Sequence, residues 1–160
     1  MKWYSEISKS IANIPSAMAY YDAEILNAKV ECKISGNIEK LSAAMPGIVE
    51  HRYNQLQEIE AILEYLNIEL RKIKSKHFIT YFEKYNKSLT SRECEKYIDS
   101  EAEVVDYEKI INEFALIRNS WLGITKALEV KQWQLSNIIK LRVAGMEDAR
   151  SEEHTSELQS

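Results

Sequence analysis

The residues of this sequence with the plainest chemical potential are a run of cations with aromatic rings set among them. Positions 71–96 hold Arg71, Lys72, Lys74, Lys76, Lys84, Lys87, Arg92 and Lys96 against Glu83, Glu93 and Glu95, a net of +5. Phe78, Tyr81, Phe82 and Tyr85 are interleaved with them, beside His77. Cations that neutralise phosphates, next to rings on which bases stack, are the two ingredients of sequence-tolerant binding to single-stranded nucleic acid. The next positions, 97–114, carry Asp99, Glu101, Glu103, Asp106, Glu108 and Glu113 against Lys109, a net of −5. The helix macrodipole alone favours cations at one helix end and carboxylates at the start of the next, but only within the terminal turns. The basic run covers several turns. The rings, at spacings of 3, 1 and 3, also fit core positions, so both readings of them stand. A +5 segment beside a −5 segment can equally pair between copies of the chain and set the register of an assembly.

Other chemistry finds little support. His51 and His77 lie in no catalytic signature, and no GxSxG, Walker or HExxH string is present. Glu60 and Glu64 share a helix face near Glu58, and Glu101 stands near Glu103, but neither group has the ExxH companion of a di-iron bundle. These carboxylates read as a solvated acidic face. Cys32 and Cys94 have no CxxC partner and read as reduced, semi-buried helix residues. The expectation is therefore a protein that is not an enzyme and needs no metal or cofactor.

The elements that must position the basic run follow from what the sequence lacks. Four glycines and two prolines in 160 residues stand against an average usage of about 12% for the two types together, which disfavours hairpins and phosphate loops. With 45% hydrophobic and 29% charged residues, the chain is neither disordered nor membrane-like in composition. No apolar run approaches the ~18 residues that span a bilayer, and no signal-peptide core is evident. The expected setting is soluble and intracellular.

Periodicity predicts an all-α fold. Residues 1–45 read as N-terminal helices, with Pro15 in the first turn of one and Pro46-Gly47 as the strongest punctuation in the chain. A long helix over 46–88 follows, with Leu56, Ile59, Leu63, Leu66, Leu70 and Ile73 at alternating spacings of 3 and 4, the heptad pattern whose seam faces a partner helix. Thr90 with Glu93 and Ser100 with Glu103 fit capping boxes, so 89–100 reads as a break holding a short helix. A second long helix over 101–142 carries Ile110, Phe114, Ile117, Trp121, Ile124 and Leu128, then Leu135 and Ile138. Lys131 interrupts that stripe and implies a local bend, and Trp133 is assigned to the same packed face. The two long helices are expected to fold back on each other as an antiparallel hairpin within a bundle that oligomerises.

Residues 150–160, RSEEHTSELQS, match the conceptual translation of a sequencing-library adapter and are set aside. They hold Arg150 against Glu152, Glu153 and Glu157, a net of −2, so half of the chain's formal −4 resides there. The natural unit is taken as one helical domain over 1–149.

The C-terminal half resembles a known family. A basic helix end, the pair Tyr81-Phe82, a polar break, the segment Tyr97-Ile98-Asp99-Ser100-Glu101-Ala102-Glu103-Val104 and a long helix closing with Lys131-Gln132-Trp133-Gln134-Leu135-Ser136-Asn137-Ile138 are together similar to the UvsY recombination mediators of large tailed bacteriophages, over about residues 70–142. The resemblance implies a phage-encoded protein of the host cytoplasm that forms a ring-like homo-oligomer, binds single-stranded DNA, displaces the phage single-stranded-DNA-binding protein and helps load a RecA-like recombinase. In the family a lysine and an arginine two residues apart precede the aromatic pair. Aligned on Tyr81-Phe82, the lysine falls on Lys76, whereas Phe78 occupies the arginine position. Lys76 is thus the foremost DNA contact, with Lys74, Arg71, Lys72, Lys84 and Lys87 in support. The alternative is a helical structural or assembly protein of a phage particle, whose basic segment serves only to pair with the acidic one.

Overall fold

The computed structural model describes residues 1–85 and 88–159, with the backbone alone for 147–150. It is all-helical, and the described residues contain no strand. In chain order come α1 (Lys2–Lys9), a short 3-10 turn (Ile11–Asn13), α2 (Ile14–Glu31), α3 (Ile38–Tyr85), α4 (Ser91–Asp99) and α5 (Ala102–Gln159). At ~1.5 Å per residue, the 48-residue α3 is about 72 Å long. The main packing is α3 against α5, with α2 laid on α5, and α1 and α4 on α3. The two long helices are antiparallel. Lys74, near the end of α3, meets Glu108, near the start of α5, while Ile38 and Ser42 at the other end share a cleft with Ile139 and Met146.

The seam between them is the predicted one, with corrections. Leu56, Ile59, Leu63, Leu66, Phe114, Trp121 and Leu128 are buried, and Leu70, Ile73, Ile110 and Ile117 are half-buried. Trp133 is 72% exposed and packs on nothing in the core. The reason is Lys131. The buried stripe of α5 runs through Trp121, Ile124, Leu128, Lys131 and Leu135 in unbroken 4-3 alternation, which turns Trp133 to the opposite side of the helix. Lys131 therefore belongs to the packed face of α5 and does not interrupt it. It is buried, and its Nζ donates to the carbonyl of Glu31 at 2.6 Å, where the end of α2 presents unpaired carbonyls and a partial negative charge.

The start of α3 is a second correction. It begins at Ile38, eight residues before Pro46, and continues through it. Gly36, at φ +91, makes the turn that no other described residue makes with a positive φ, and Asn37 Oδ1 accepts from Lys40 N at 3.0 Å to cap the new helix. Proline inside a helix removes a bond and costs about 3 kcal/mol. Here Met45 is buried immediately before Pro46, and Leu41, Ile48 and Val49 pack on the core to either side, so burial on both flanks outweighs the local cost. The third correction lies at the other end of the molecule. Helix α5 does not stop at 142 but continues to Gln159, exposed at every position from 151 to 159. These residues extend past the first turn of α3.

A buried polar cluster holds α2 to α3. Arg52 is 3% exposed. It donates through Nε and Nη2 to both carboxylate oxygens of Glu31, at 2.8 and 2.6 Å. Its Nη1 reaches Glu24 at 2.7 Å and the Gln55 carbonyl at 2.9 Å, and its guanidinium carbon lies 5.6 Å from the centroid of Trp121. The Gln55 amide in turn donates to Glu24 and to Tyr20. That amide, followed by Arg52, holds the Glu24 carboxyl below the ordinary carboxylate range against the opposing effect of partial burial. Below this clamp the Tyr21 hydroxyl donates to Glu58, and burial, then this bond, pushes the phenol far above its ordinary range. Glu58 is thus buried rather than part of a solvated acidic face, while Glu60 and Glu64 are exposed as expected. Cys94 is buried and Cys32 half-buried, and both are free thiols.

Two outcomes follow from this packing. Trp121→Ala should cost about 3–5 kcal/mol of stability and Trp133→Ala no more than ~0.5 kcal/mol, compared by urea denaturation. Because the folded Glu24 carboxyl lies below its unfolded value of about 4.3, its contribution is complete above that pH and is lost as pH falls through the lower folded value. Gln55→Leu should move this acid loss to higher pH in unfolding midpoints followed from about pH 6 to pH 2.

Candidate nucleic-acid interface

The basic run lies on the last third of α3, where the apolar seam gives way to polar residues. The face that carries Leu63, Leu66 and Leu70 continues at the same helical spacing through Lys74, His77 and Tyr81, so these three turn toward α4 and α5. The acidic segment meets them there. Lys74 Nζ lies 3.2 Å from Asp99 and 3.4 Å from Glu108. His77 Nε2 is 3.1 Å from Glu103, and the Tyr81 hydroxyl donates to Glu101. The Tyr81 ring also stacks on Tyr97, with centroids 6.1 Å apart and planes at 22°. Asp99 and Glu108 hold the Lys74 ammonium above its ordinary range despite partial burial, which acts the other way. The bond that Tyr81 donates to Glu101 raises the Tyr81 phenol above its ordinary range.

Helix α4 delivers part of this acidic surface. Thr90 and Glu93 form the predicted capping box, with Thr90 Oγ1 accepting from Glu93 N at 3.3 Å and Glu93 Oε2 accepting from Thr90 N at 2.8 Å. Cys94 and Ile98 anchor the helix, leaving Asp99 at its end beside Lys74. The box expected at Ser100 and Glu103 does not form. Ser100 Oγ donates backward to the Tyr97 carbonyl at 2.8 Å, and Glu103 is engaged with His77. The next helix starts one residue later than that box would require, at Ala102.

The other side of α3 faces outward. Arg71, Lys72 and Lys76 surround an open cleft of about 610 Å³ with Ile68, Ser75 and Ile79, and all six are exposed. Arg71 lies 3.5 Å from Glu64 and Lys72 lies 2.9 Å from Glu69, solvent-screened contacts that contribute little and that an incoming anion can replace. Lys76 and Lys84 are exposed, with no ion pair among the described residues. Phe82, 53% exposed, stacks on Phe78 at 6.2 Å with planes 16° apart, and Tyr85 is exposed beside Tyr81. The rings are therefore neither wholly in the core nor wholly free. Tyr81 is committed to the fold, and Phe82 is open to stacking.

The eight candidates thus separate into groups. Arg71, Lys72, Lys76, Lys84 and Phe82 remain available, Lys74 and Tyr81 are engaged by the acidic segment, and Lys87 lies outside the described residues. The buried cluster of Tyr21, Arg52, Glu58 and Lys131 was not anticipated, although two of its members carry a signal. Arg52 falls in register with Met45, Ile59 and Leu66, and Lys131 with Leu128 and Leu135. A cation in an otherwise apolar register has to find buried acceptors. Among the described residues, no three of His, Cys, Asp and Glu come together as they would around a metal ion, and no helix is long and apolar enough to cross a membrane. Comparison with protein-family models, characterised proteins and solved structures finds no match to this chain.

If Glu101 is what raises the Tyr81 phenol, Glu101→Gln should return that pKa toward the ordinary value of about 10. A pH titration of the ring-carbon resonances in protein labelled at tyrosine reads this directly.

Proposed function

We propose that this protein is a non-enzymatic recombination mediator that binds single-stranded DNA along the outward face of α3. The supporting observation is the exposed row of Arg71, Lys72 and Lys76 with Ile79 and Phe82 open beside it, and Lys84 exposed on the last turn of the helix in the register of His77. Cations there can contact successive phosphates while a ring accepts a base. The resemblance over residues 70–142 supplies the rest of the reading. It includes a homo-oligomer that presents the patch many times, the displacement of a phage single-stranded-DNA-binding protein, and the loading of a RecA-like recombinase in the host cytoplasm. One modest patch repeated around an assembly gains avidity by orders of magnitude when one strand spans several copies. The predicted seam is spent inside each chain, so copies would meet on other surfaces. The outer side of α5 has Leu116, Val130, Trp133 and Leu141 exposed for that purpose.

A second reading, a helical assembly protein without a DNA role, is favoured by the contacts of Lys74, His77 and Tyr81 with Asp99, Glu103 and Glu101. In that reading the basic run exists to close the molecule. Fluorescence anisotropy with a labelled oligothymidylate separates the two. The mediator should bind saturably, and the triple variant Lys72→Ala/Lys76→Ala/Lys84→Ala should lose at least tenfold in affinity and flatten the salt dependence by about 2 units of slope, at ~0.7 per phosphate contact. Lys74→Ala should change the slope little, because that charge is already neutralised. Absence of saturable binding near physiological salt would leave the assembly reading.

A further inference from the structure

The cationic surface does not end with the basic row. At the tip of the hairpin, where α3 gives way to α4, Tyr81, Tyr85, Ser88, Leu89 and Tyr97 line a cleft of about 300 Å³. Its floor is fixed by the backbone. The amides of Ser88 and Leu89 donate to the Tyr85 carbonyl at 2.9 and 3.0 Å, and the capping box of Thr90 and Glu93 starts α4 immediately afterwards. Its walls are three rings joined through Tyr81, whose centroid lies 6.1 Å from that of Tyr97 with planes at 22°, and 6.1 Å from that of Tyr85 with planes at 32°.

The fold uses only part of this aromatic surface. Tyr81 is tied to Glu101, and α4 is anchored by the buried Cys94 and Ile98. Tyr85 and Tyr97 are 45% and 52% exposed. Large apolar surface left open in a concavity marks a place for a ligand, and walls made of rings suit a flat one. The surrounding cations suit an anion. Lys84 immediately precedes Tyr85, Lys96 immediately precedes Tyr97, and Arg92 lies one turn before Lys96 on α4. All three are exposed, with no ion pair among the described residues. Positions 84–97 hold Lys84, Lys87, Arg92 and Lys96 against Glu93 and Glu95, a net of +2, and Glu93 is occupied by the capping box. A flat group that carries anions on either side is a base within a nucleic-acid strand. The cleft also continues the ridge toward the end of α3. Lys84 is eight residues beyond Lys76, ~12 Å along the helix, with the open ring of Phe82 between them.

Resting on the reading of the outward face of α3 as a single-strand site, we propose that the tip cleft is a second nucleobase site. Bases of the same strand stack on the open faces of Tyr85 and Tyr97, and Lys84, Arg92 and Lys96 meet the flanking phosphates, so that the strand passes from α3 onto α4.

The test compares two labelled strands of equal length by fluorescence anisotropy with the full chain: an oligothymidylate, and its abasic counterpart, which has the phosphates without the bases. The parent should bind oligothymidylate at least tenfold tighter than the abasic strand. Tyr85→Leu/Tyr97→Leu should lose roughly fivefold or more on oligothymidylate, the loss of one stacked base, with affinity for the abasic strand and the salt slope unchanged. Tyr85→Phe/Tyr97→Phe keeps the rings and should bind as the parent does. Arg92→Ala/Lys96→Ala should weaken both strands and flatten the salt slope by about 1.4 units, at ~0.7 per phosphate contact. Thermal melts followed by circular dichroism verify each fold, and Tyr85→Leu alone, at an exposed position of α3, keeps the test open if the double variant unfolds. If the parent binds neither strand, the single-strand reading and the tip site fall together. If it binds both, and the folded leucine variant keeps the parent's preference for oligothymidylate, the tip site alone is overturned and the ridge stands. Thymidine monophosphate serves as a competitor, and displacement of the oligothymidylate at comparable concentration would overturn the strand assignment in favour of a free nucleotide.

Discussion

Arg52 is the point on which the three long elements converge. Its guanidinium bonds two carboxylates of α2 and the Gln55 amide of its own helix, and it lies against Trp121 of α5. A charge this deeply buried is tolerable only when its donors are used, because desolvating it costs several kcal/mol. The fork geometry of arginine meets that condition with five N–H groups, which a lysine could not. One consequence is the spacing of the helices. Where α3 and α5 meet, branched aliphatic and aromatic side chains pack against one another, whereas α2 reaches α3 through long polar arms.

The same balance of apolar and polar seam explains why the heptads close within one chain. Leu56, Ile59, Leu63 and Leu66 of α3 and Phe114, Trp121 and Leu128 of α5 are covered within one chain, so the stripe that asks for a partner helix is already satisfied. A seam cannot serve two partners at once. Toward the free end of the hairpin the apolar residues run out, and charge takes over the task of holding α3 to α4 and α5. Lys74, His77 and Tyr81 meet Asp99, Glu103 and Glu101 there. These contacts are largely exposed, so that end is held by weaker interactions than the middle.

How far the sequence could be read differs from feature to feature. The two long helices, the capped α4 and most of the seam follow from periodicity and one capping box, because those signals are local. Pro46 misleads for the opposite reason. Its penalty is local, but the burial of Met45 and Ile48 that overrides it depends on residues nearly a hundred positions away. Lys131 and Trp133 form a linked error. Treating the lysine as an interruption shifts the perceived face and draws the tryptophan inward, although 4-3 spacing carried through Lys131 would have placed both correctly. Glu58 could not be assigned from its neighbours Glu60 and Glu64, since its environment is made by Tyr21 of another helix. The division of the basic run into inward and outward faces needs only the 3.6-residue period and the seam upstream of it. Which carboxylate meets which cation requires the return of α5.

Charge sums along the sequence hide this division. The +5 and −5 segments cancel in the sum, and the fold brings their facing halves together, so the inward cations contribute little to the outside field. Arg71, Lys72 and Lys76 keep theirs, on a helix whose opposite side is largely neutralised, and Lys84 adds an exposed charge on the last turn. The result is an acidic molecule, at a formal −4, with a cationic ridge on α3. Long-range attraction for a polyanion is then weak, because the whole surface repels it, and contact at short range depends on the ridge alone, within a Debye length of about 8 Å at physiological salt. Such a surface favours a strand that is presented to many copies at once over one that meets a single copy in solution.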